Sequence, residues 1–277
     1  ALLFWGFGDF LIQKSTRKFG DWETLFSIVA FGTIILTPLV YNDLWILSSN
    51  ENLLVLMAAS LVLLGAALLD FEALKKGKIA VVEPVYALEV PIAAVLAFGI
   101  ISETVELLEI SLISILIIGL IMVSLRSHHF SRRAWVERGV FLAAVGSLFM
   151  GSANFLVGFA ARITNPLMSI WFTNLVLTFV CLYYLMINKK LGGFARDFYH
   201  HRKLVLGVAV LDNLAWIAFA GAMSIIPIVI AVALSESYIA LAALLGLLIN
   251  KERLFMHQKI GLFVVLLSAV ALAGITA

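Results

Sequence analysis

Four carboxyl groups lie deep within apolar stretches of this 277-residue chain: Asp9, Glu89, Asp212 and Glu236. Three of them stand at helical spacing from a large aromatic ring. Trp5 precedes Asp9 by four residues, Tyr86 precedes Glu89 by three, and Trp216 follows Asp212 by four, so on a helix each acid shares a face with its ring. A carboxylate beside an aromatic face suits an ammonium or quaternary amine, which gains charge pairing and attraction to the ring together. The same acids could instead take up and release protons, and the two roles are compatible in one exchanger. With 12% aromatic residues, some such pairs also arise by chance.

The chain has 17 acidic residues, and Asp70, Glu72 and Glu83 also fall inside apolar segments. A carboxylate at mid-membrane costs about 3 kcal/mol even on lenient scales, so such groups are usually functional or kept neutral by burial. Asp70 and Glu72 lie about one turn before Lys75 and Lys76, where they can reach interfacial water or those ammonium groups, and they read as structural. Glu83 opens a predicted helix, where it would either serve the amides and dipole of that helix or reach a ligand. Asn154, Asn174 and Asn213 add uncharged donors and acceptors. Pro91 removes one backbone hydrogen bond in mid-helix and allows a bend there.

The elements that must carry these groups are apolar and long. At 63% hydrophobic residues and a mean hydropathy of +1.09, the chain far exceeds the roughly half apolar content of a soluble domain. Ten segments are predicted as transmembrane helices: 1–18, 23–42, 52–74, 78–101, 107–126, 135–161, 165–188, 203–223, 227–249 and 255–276. Each approaches the ~20 residues that cross a hydrocarbon core, and no gap is long enough for a soluble domain. The longest gap, near 188–203, is polar and basic. All Lys and Arg residues except Arg162 fall in alternate gaps, around Lys14, Lys75, Arg132, Lys190 and Lys251. Because cytoplasmic loops keep the basic excess, this alternation requires a weaving chain with both ends on one face, placed outside by the charge count.

The halves repeat. An offset of 145 lays Phe4 to Ile12 over Phe149 to Val157, pairing Asp9 with Asn154 and Arg17 with Arg162. An offset of 149 lays Ile101-Ser102-Glu103 over Asn250-Lys251-Glu252. Five helices per copy is an odd number, so the second copy must enter the membrane inverted, as in carriers that alternate access about a pseudo-two-fold axis. The expected fold is therefore all-α and integral to the membrane, with a first repeat over 1–126, a linker over 127–134 and a second repeat over 135–277.

Over its full length the chain resembles the EamA-type members of the drug/metabolite transporter superfamily. The resemblance rests on Trp5-Gly6, Ala73-Leu74, Pro91, Glu103 and Gly119, then on Gly151, Asn154, Phe155, Ala222-Met223, Glu252-Arg253-Leu254 and Gly261. The first helix is also similar to that of small multidrug resistance proteins, whose membrane-embedded Glu would fall on Asp9. The resemblance implies a ten-helix secondary transporter with a central cavity lined by both halves, and both termini in the cytoplasm. Family substrates range over amino acids, nucleotide sugars, amines and drugs.

The residues and the resemblance together lead to a secondary transporter, an exporter that is proton-linked or facilitative, for small amines, amino acids or cationic drugs. Its binding residues are expected to be Asp9, Glu89, Asp212, Glu236, Trp5, Tyr86, Trp216, Asn154 and Glu83. A carrier of a neutral or anionic metabolite is the alternative, set against by the lack of any Lys or Arg deep in a span. A lipid-binding or assembly subunit is another, and it predicts that Asp9 and Glu89 tolerate Ala. An enzyme is not expected, because no nucleophile–base pair or metal cluster lies within the spans. Cys181 reads as packing, and the paired loop histidines His128, His129, His200 and His201 as solvated, so neither metal nor cofactor is expected. The partners foreseen are the lipid bilayer, a small-molecule substrate and protons, with no nucleic acid. A monomer or weak homodimer in a prokaryotic inner membrane completes the expectation.

Overall fold

The computed structural model describes residues 1–76, 85–124, 138–241 and 255–276. Among them the regular elements are helical: α1 (Leu2–Phe19), α2 (Asp21–Val40), a 3₁₀ helix (Tyr41–Ser48), α3 (Asn50–Lys76), α4 (Glu89–Ile100), α5 (Leu107–Ser124), α6 (Arg138–Ile163), α7 (Pro166–Ile187), α8 (Leu191–Ile225), α9 (Ile228–Glu236) and α10 (Met256–Thr276). Six of the described helical stretches are long and apolar enough to cross a membrane, and three shorter ones are equally apolar. The outer surface carries Ile34, Leu54, Val95, Leu107, Phe179 and Val270 in the open, while Glu89, Asn154, Asn174 and Glu236 are buried. Polar groups inside and hydrocarbon outside is the arrangement that lipid requires and water penalises. The chain is a multi-pass integral membrane protein.

Helix ends follow local chemistry. Asn165 caps α7 by accepting the Met168 amide at 2.7 Å, with Pro166 at the first helical position, where a missing N–H costs nothing. Gly20 turns the chain between α1 and α2 at φ 105°, a backbone angle that a side chain would resist. Helix α8 begins twelve residues earlier than its apolar segment, at Leu191, and kinks at His201. The added turns form because Phe194 and Phe198, one turn apart, give the polar stretch an apolar edge, and Phe194 packs on Phe26 of α2.

Helix α3 packs on α6 and α1 on α8, α2 on α7, α5 on α10, and α3 on α7 as α8 on α2. Bonds recur at the offsets seen in the sequence. Arg17 Nη2 donates to Leu74 O at 3.4 Å, and Arg162 Nε donates to Met223 O at 2.8 Å, each Arg closing the end of a helix 57 or 61 residues onward. The helix broken at Ala87–Leu88 has its amide bond from Leu88 to Val85 O at 3.1 Å, and the helix broken at Ser237 has the bond from Ser237 to Leu234 O at 3.3 Å. Near the first break, Pro91 cannot bond the carbonyl of Ala87 and its ring crowds it. Gly151 lies so close to α4 that a Cβ would come within 2.8 Å of Glu89 O and of Ile92, and Gly6 faces Tyr238 O and Leu241 in the same way at 4.0 and 3.1 Å.

Candidate functional site

A cavity of about 110 Å³ lies between α1, α2, α3, α4, α6, α7, α8 and α9. Its wall includes Asp9, Glu89, Asp212, Glu236, Trp5, Tyr86, Trp216 and Asn154, and so gathers eight of the residues singled out in the sequence from six different helical segments. Glu83 lies outside the described residues. The wall also takes in Asp70, Met150, Thr173, Asn174 and Tyr238. Its residues come from the C-terminal part of α3 and the N-terminal part of α2, on the side of the molecule where Lys75 and Lys190 sit. Toward the other side the helices close over a large apolar cluster with Val40, Leu56, Phe155, Met168, Met223 and Ile228.

Five carboxyl groups therefore line one cavity: Asp9, Asp70, Glu89, Asp212 and Glu236. Among the described residues the lining has no Lys, Arg or His. The acids are near enough to repel one another, Asp9 with Asp70, Asp212 with Asp9, and Glu89 with Glu236, Asp70 and Asp9. Ionised together with no cation beside them, such groups would repel one another, and a bound cation or protons would relieve that repulsion.

Hydrogen-bond donors hold three of the acids. Asn154 Nδ2 donates to Glu89 Oε2 at 3.0 Å, Tyr238 bonds Asp9, and Trp5 is in hydrogen-bonding contact with Asp212. These pairs mirror one another at the sequence offsets: Asn154 occupies the place of Asp9, and Tyr238 that of Glu89. One carboxyl and one neutral donor meet in both, with the charge on opposite members. Tyr238 was not singled out in the sequence, although the 149-residue offset already laid it on Glu89.

Aromatic rings form one wall. Trp5 meets Trp216 edge-on at 5.4 Å between centroids, and both contact Phe219, at 5.2 and 5.8 Å. Tyr86 and Glu89 both line the cavity, but not through the expected shared helical face, because the helix breaks between them at Ala87–Leu88. The Tyr86 hydroxyl donates to Asp70 O at 3.4 Å. Asn213 is a tie rather than a wall residue. Its Nδ2 donates to Ile28 O at 2.9 Å and its Oδ1 accepts from Asn174 Nδ2 at 2.9 Å, joining α8 to α2 and α7. Gly32 leaves room for that pair, since a Cβ there would overlap both amides.

Asp70 is not the interfacial partner of Lys75 and Lys76 that its position implied. Lys75 bonds Asp21 at 3.1 Å and Glu72 at 3.5 Å, and Lys76 pairs with Glu72, whereas Asp70 is 8% exposed and turned into the cavity. Glu72 does take the structural role expected of it. Lysines three and four residues onward share its helix face, whereas those five and six beyond Asp70 point elsewhere.

Arg162, the isolated basic residue, works on the closed side. It pairs with Glu103 at 2.7 Å and donates through Nη2 to Ile226 O at 2.8 Å, while Glu103 accepts the Ile228 and Val229 amides at 3.0 and 3.4 Å. The C-terminus of α8 and the N-terminus of α9 are thereby satisfied by opposite charges that also bond each other. Among the described residues, no group of three or more His, Cys, Asp and Glu is placed to hold a metal ion.

A model of the EamA-like transporter family matches residues 1–125. No curated protein matches the chain. Among solved structures, a protein crystal structure 14% identical superposes with a TM-score of 0.73, covering 99% of this chain and 93% of the other. At that identity the likeness speaks for the fold alone. Over residues 1–125 the chain thus matches the EamA-like transporter family, which belongs to the drug/metabolite transporter superfamily.

Proposed function

We propose that this DMT-type transporter is an exporter of small cationic compounds (amines, amino acids or cationic drugs), built from ten transmembrane helices in two inverted five-helix repeats. One observation carries the substrate class. Five carboxyls line a single cavity that, among the described residues, offers no cation of its own, beside the edge-on rings of Trp5 and Trp216. An ammonium ion entering this space gains ion pairing and ring attraction together. A nucleotide sugar or other anion would meet only like charge there. Protons replace the cation when it leaves, which links export to proton entry.

The recurring bonds of Arg17 and Arg162, of Val85–Leu88 and Leu234–Ser237, and of the two carboxyl–donor pairs support the inverted repeats and a two-fold axis through the cavity. Rocking about such an axis would expose the acids to each side in turn.

The test is thermal melting of the purified protein with a panel of amines, amino acids, nucleotide sugars and drugs. A ligand present at a hundredfold its Kd stabilises by about 2.7 kcal/mol. Amines are expected to raise the melting temperature of the wild type, and to do so less in Asp9→Asn and Glu89→Gln. Stabilisation by neutral or anionic compounds alone, or amine binding that survives both changes undiminished, would sink the cation reading.

A further inference from the structure

Both hydrogens of the Asn213 side-chain amide are committed to backbone carbonyls. Its Nδ2 donates to Ile28 O of α2 at 2.9 Å and to Ala209 O, one turn earlier in α8, at 2.8 Å. The nitrogen end of this amide is thereby fixed, and its Oδ1 is left to accept. Asn174 of α7 must then turn its own nitrogen to that oxygen, because two carbonyl oxygens would repel, and Asn174 Nδ2 donates to Asn213 Oδ1 at 2.9 Å. Gly32 leaves this nitrogen its room, since a Cβ there would overlap Asn174 Nδ2.

The relay stands directly behind the cavity wall. Ile28, Asn174 and Asp212 line the cavity, whereas Asn213 does not. With its nitrogen held against α2 and α8, the Asn174 amide leaves its oxygen as the end that serves the cavity. Among the described residues no donor reaches Asn174 Oδ1, and unlike Asp70 Oδ1 and Glu236 Oε2 it is not enclosed by protein atoms. Asp212, next in the chain to Asn213, and Trp216, one turn onward, bring a carboxyl and an indole to the same part of the wall.

We infer that Asn174 is a specificity-determining residue whose amide oxygen accepts an N–H of the bound ammonium, and that the site therefore favours primary and secondary ammonium ions over quaternary ones. This rests on the cation-binding reading of the cavity. Carboxyls and indole rings alone attract any organic cation, because charge pairing and ring attraction require no N–H. An oriented amide oxygen discriminates. A primary ammonium carries three N–H groups and can serve a carboxylate and this oxygen together, whereas a quaternary ion covers the oxygen and gives it no donor.

Calorimetric titration of the full chain in detergent at neutral pH, with n-butylamine and with butyltrimethylammonium, tests it. The quantity read is the ratio of the two dissociation constants, because a general loosening of the site weakens both ligands alike and leaves the ratio unmoved. The wild type is expected to bind n-butylamine the more tightly. Asn174→Leu, close in size but without the acceptor, should shift the ratio about 10-fold or more against n-butylamine. A single cooperative melting transition reports that the variant is folded, and Asn174→Ala decides the matter should the leucine variant fail to fold. A wild type that prefers butyltrimethylammonium, or a ratio that stays within about 3-fold of wild type in the folded variant, overturns the role of Asn174 and leaves the cation reading standing. A wild type that binds neither compound overturns both.

Discussion

Removing Glu103 should loosen the closed side of the molecule by an amount the geometry sets. Its carboxylate is 6% exposed, pairs with Arg162 at 2.7 Å, and accepts the first amides of α9 at 3.0 and 3.4 Å. Breaking a buried pair by deleting one partner costs about 3–5 kcal/mol. Arg162 keeps the carbonyls of Met223 and Ile226 and is 28% exposed, so the low end applies to Glu103→Ala, about 3 kcal/mol. Arg162→Ala loses the same pair and two carbonyl bonds, for a similar cost. Glu103→Gln keeps an acceptor for the Ile228 amide and should cost about half as much. Because the two residues bond each other, the double alanine variant should fall short of the summed costs by about 2 kcal/mol. At about 2–4 °C per kcal/mol, each alanine variant melts about 6–12 °C lower. Thermal melting of the wild type and the four variants in one detergent reads these values. A Glu103→Ala variant that melts within about 1 °C of the wild type, or additive single losses, would refute the lock.

Three further changes probe other parts of the fold by the same assay. Gly32→Ala drives a Cβ into Asn213 and Asn174 and should cost about 2 kcal/mol or more through the broken amide pair, whereas Gly221→Ala enters open space within α8 and should stabilise by up to about 1 kcal/mol; equal effects at the two glycines would count against the packing described. The Lys190 ammonium, whose hydrogen bond to Glu23 at 2.9 Å lifts it above its ordinary range, stabilises the fold while protonated. Being 43% exposed it contributes well under about 1 kcal/mol, and the difference between wild type and Lys190→Met should be present at neutral pH and vanish as pH rises past the ordinary lysine range; a difference that grows with alkalinity would contradict it.

Much of the site was legible because hydrocarbon makes charge conspicuous. Asp9, Glu89, Asp212 and Glu236 stood out by depth alone, and the structure brings all four to one wall. Asp70 was misplaced because proximity in sequence was allowed to stand for a shared face. Five or six residues onward is most of a turn and a half, so Lys75 and Lys76 point away from it and toward Glu72 and Asp21. Helical spacing also misjudged Tyr86 and Glu89, which reach the cavity from either side of a break that Pro91 provokes one turn downstream. Tyr238 went unnoticed because the repeat was read only where residue types matched, whereas its likeness to Glu89 is one of place. The polar stretch from Leu191 became helix through two phenylalanines that a window average over charged neighbours conceals.

The crossed carboxyl–donor pairs bear on how freely the two halves could ever be separated. In the intact chain Asp9 meets Tyr238, and Glu89 meets Asn154. A symmetric dimer assembled from two first halves would set Asp9 against Glu89 at both junctions, four acids with no donor among them. Two second halves would set Asn154 against Tyr238 twice and lose these acids altogether. Each half carries the groups that the other's charge requires, so on the inverted-repeat reading the two halves are complementary parts and are not exchangeable.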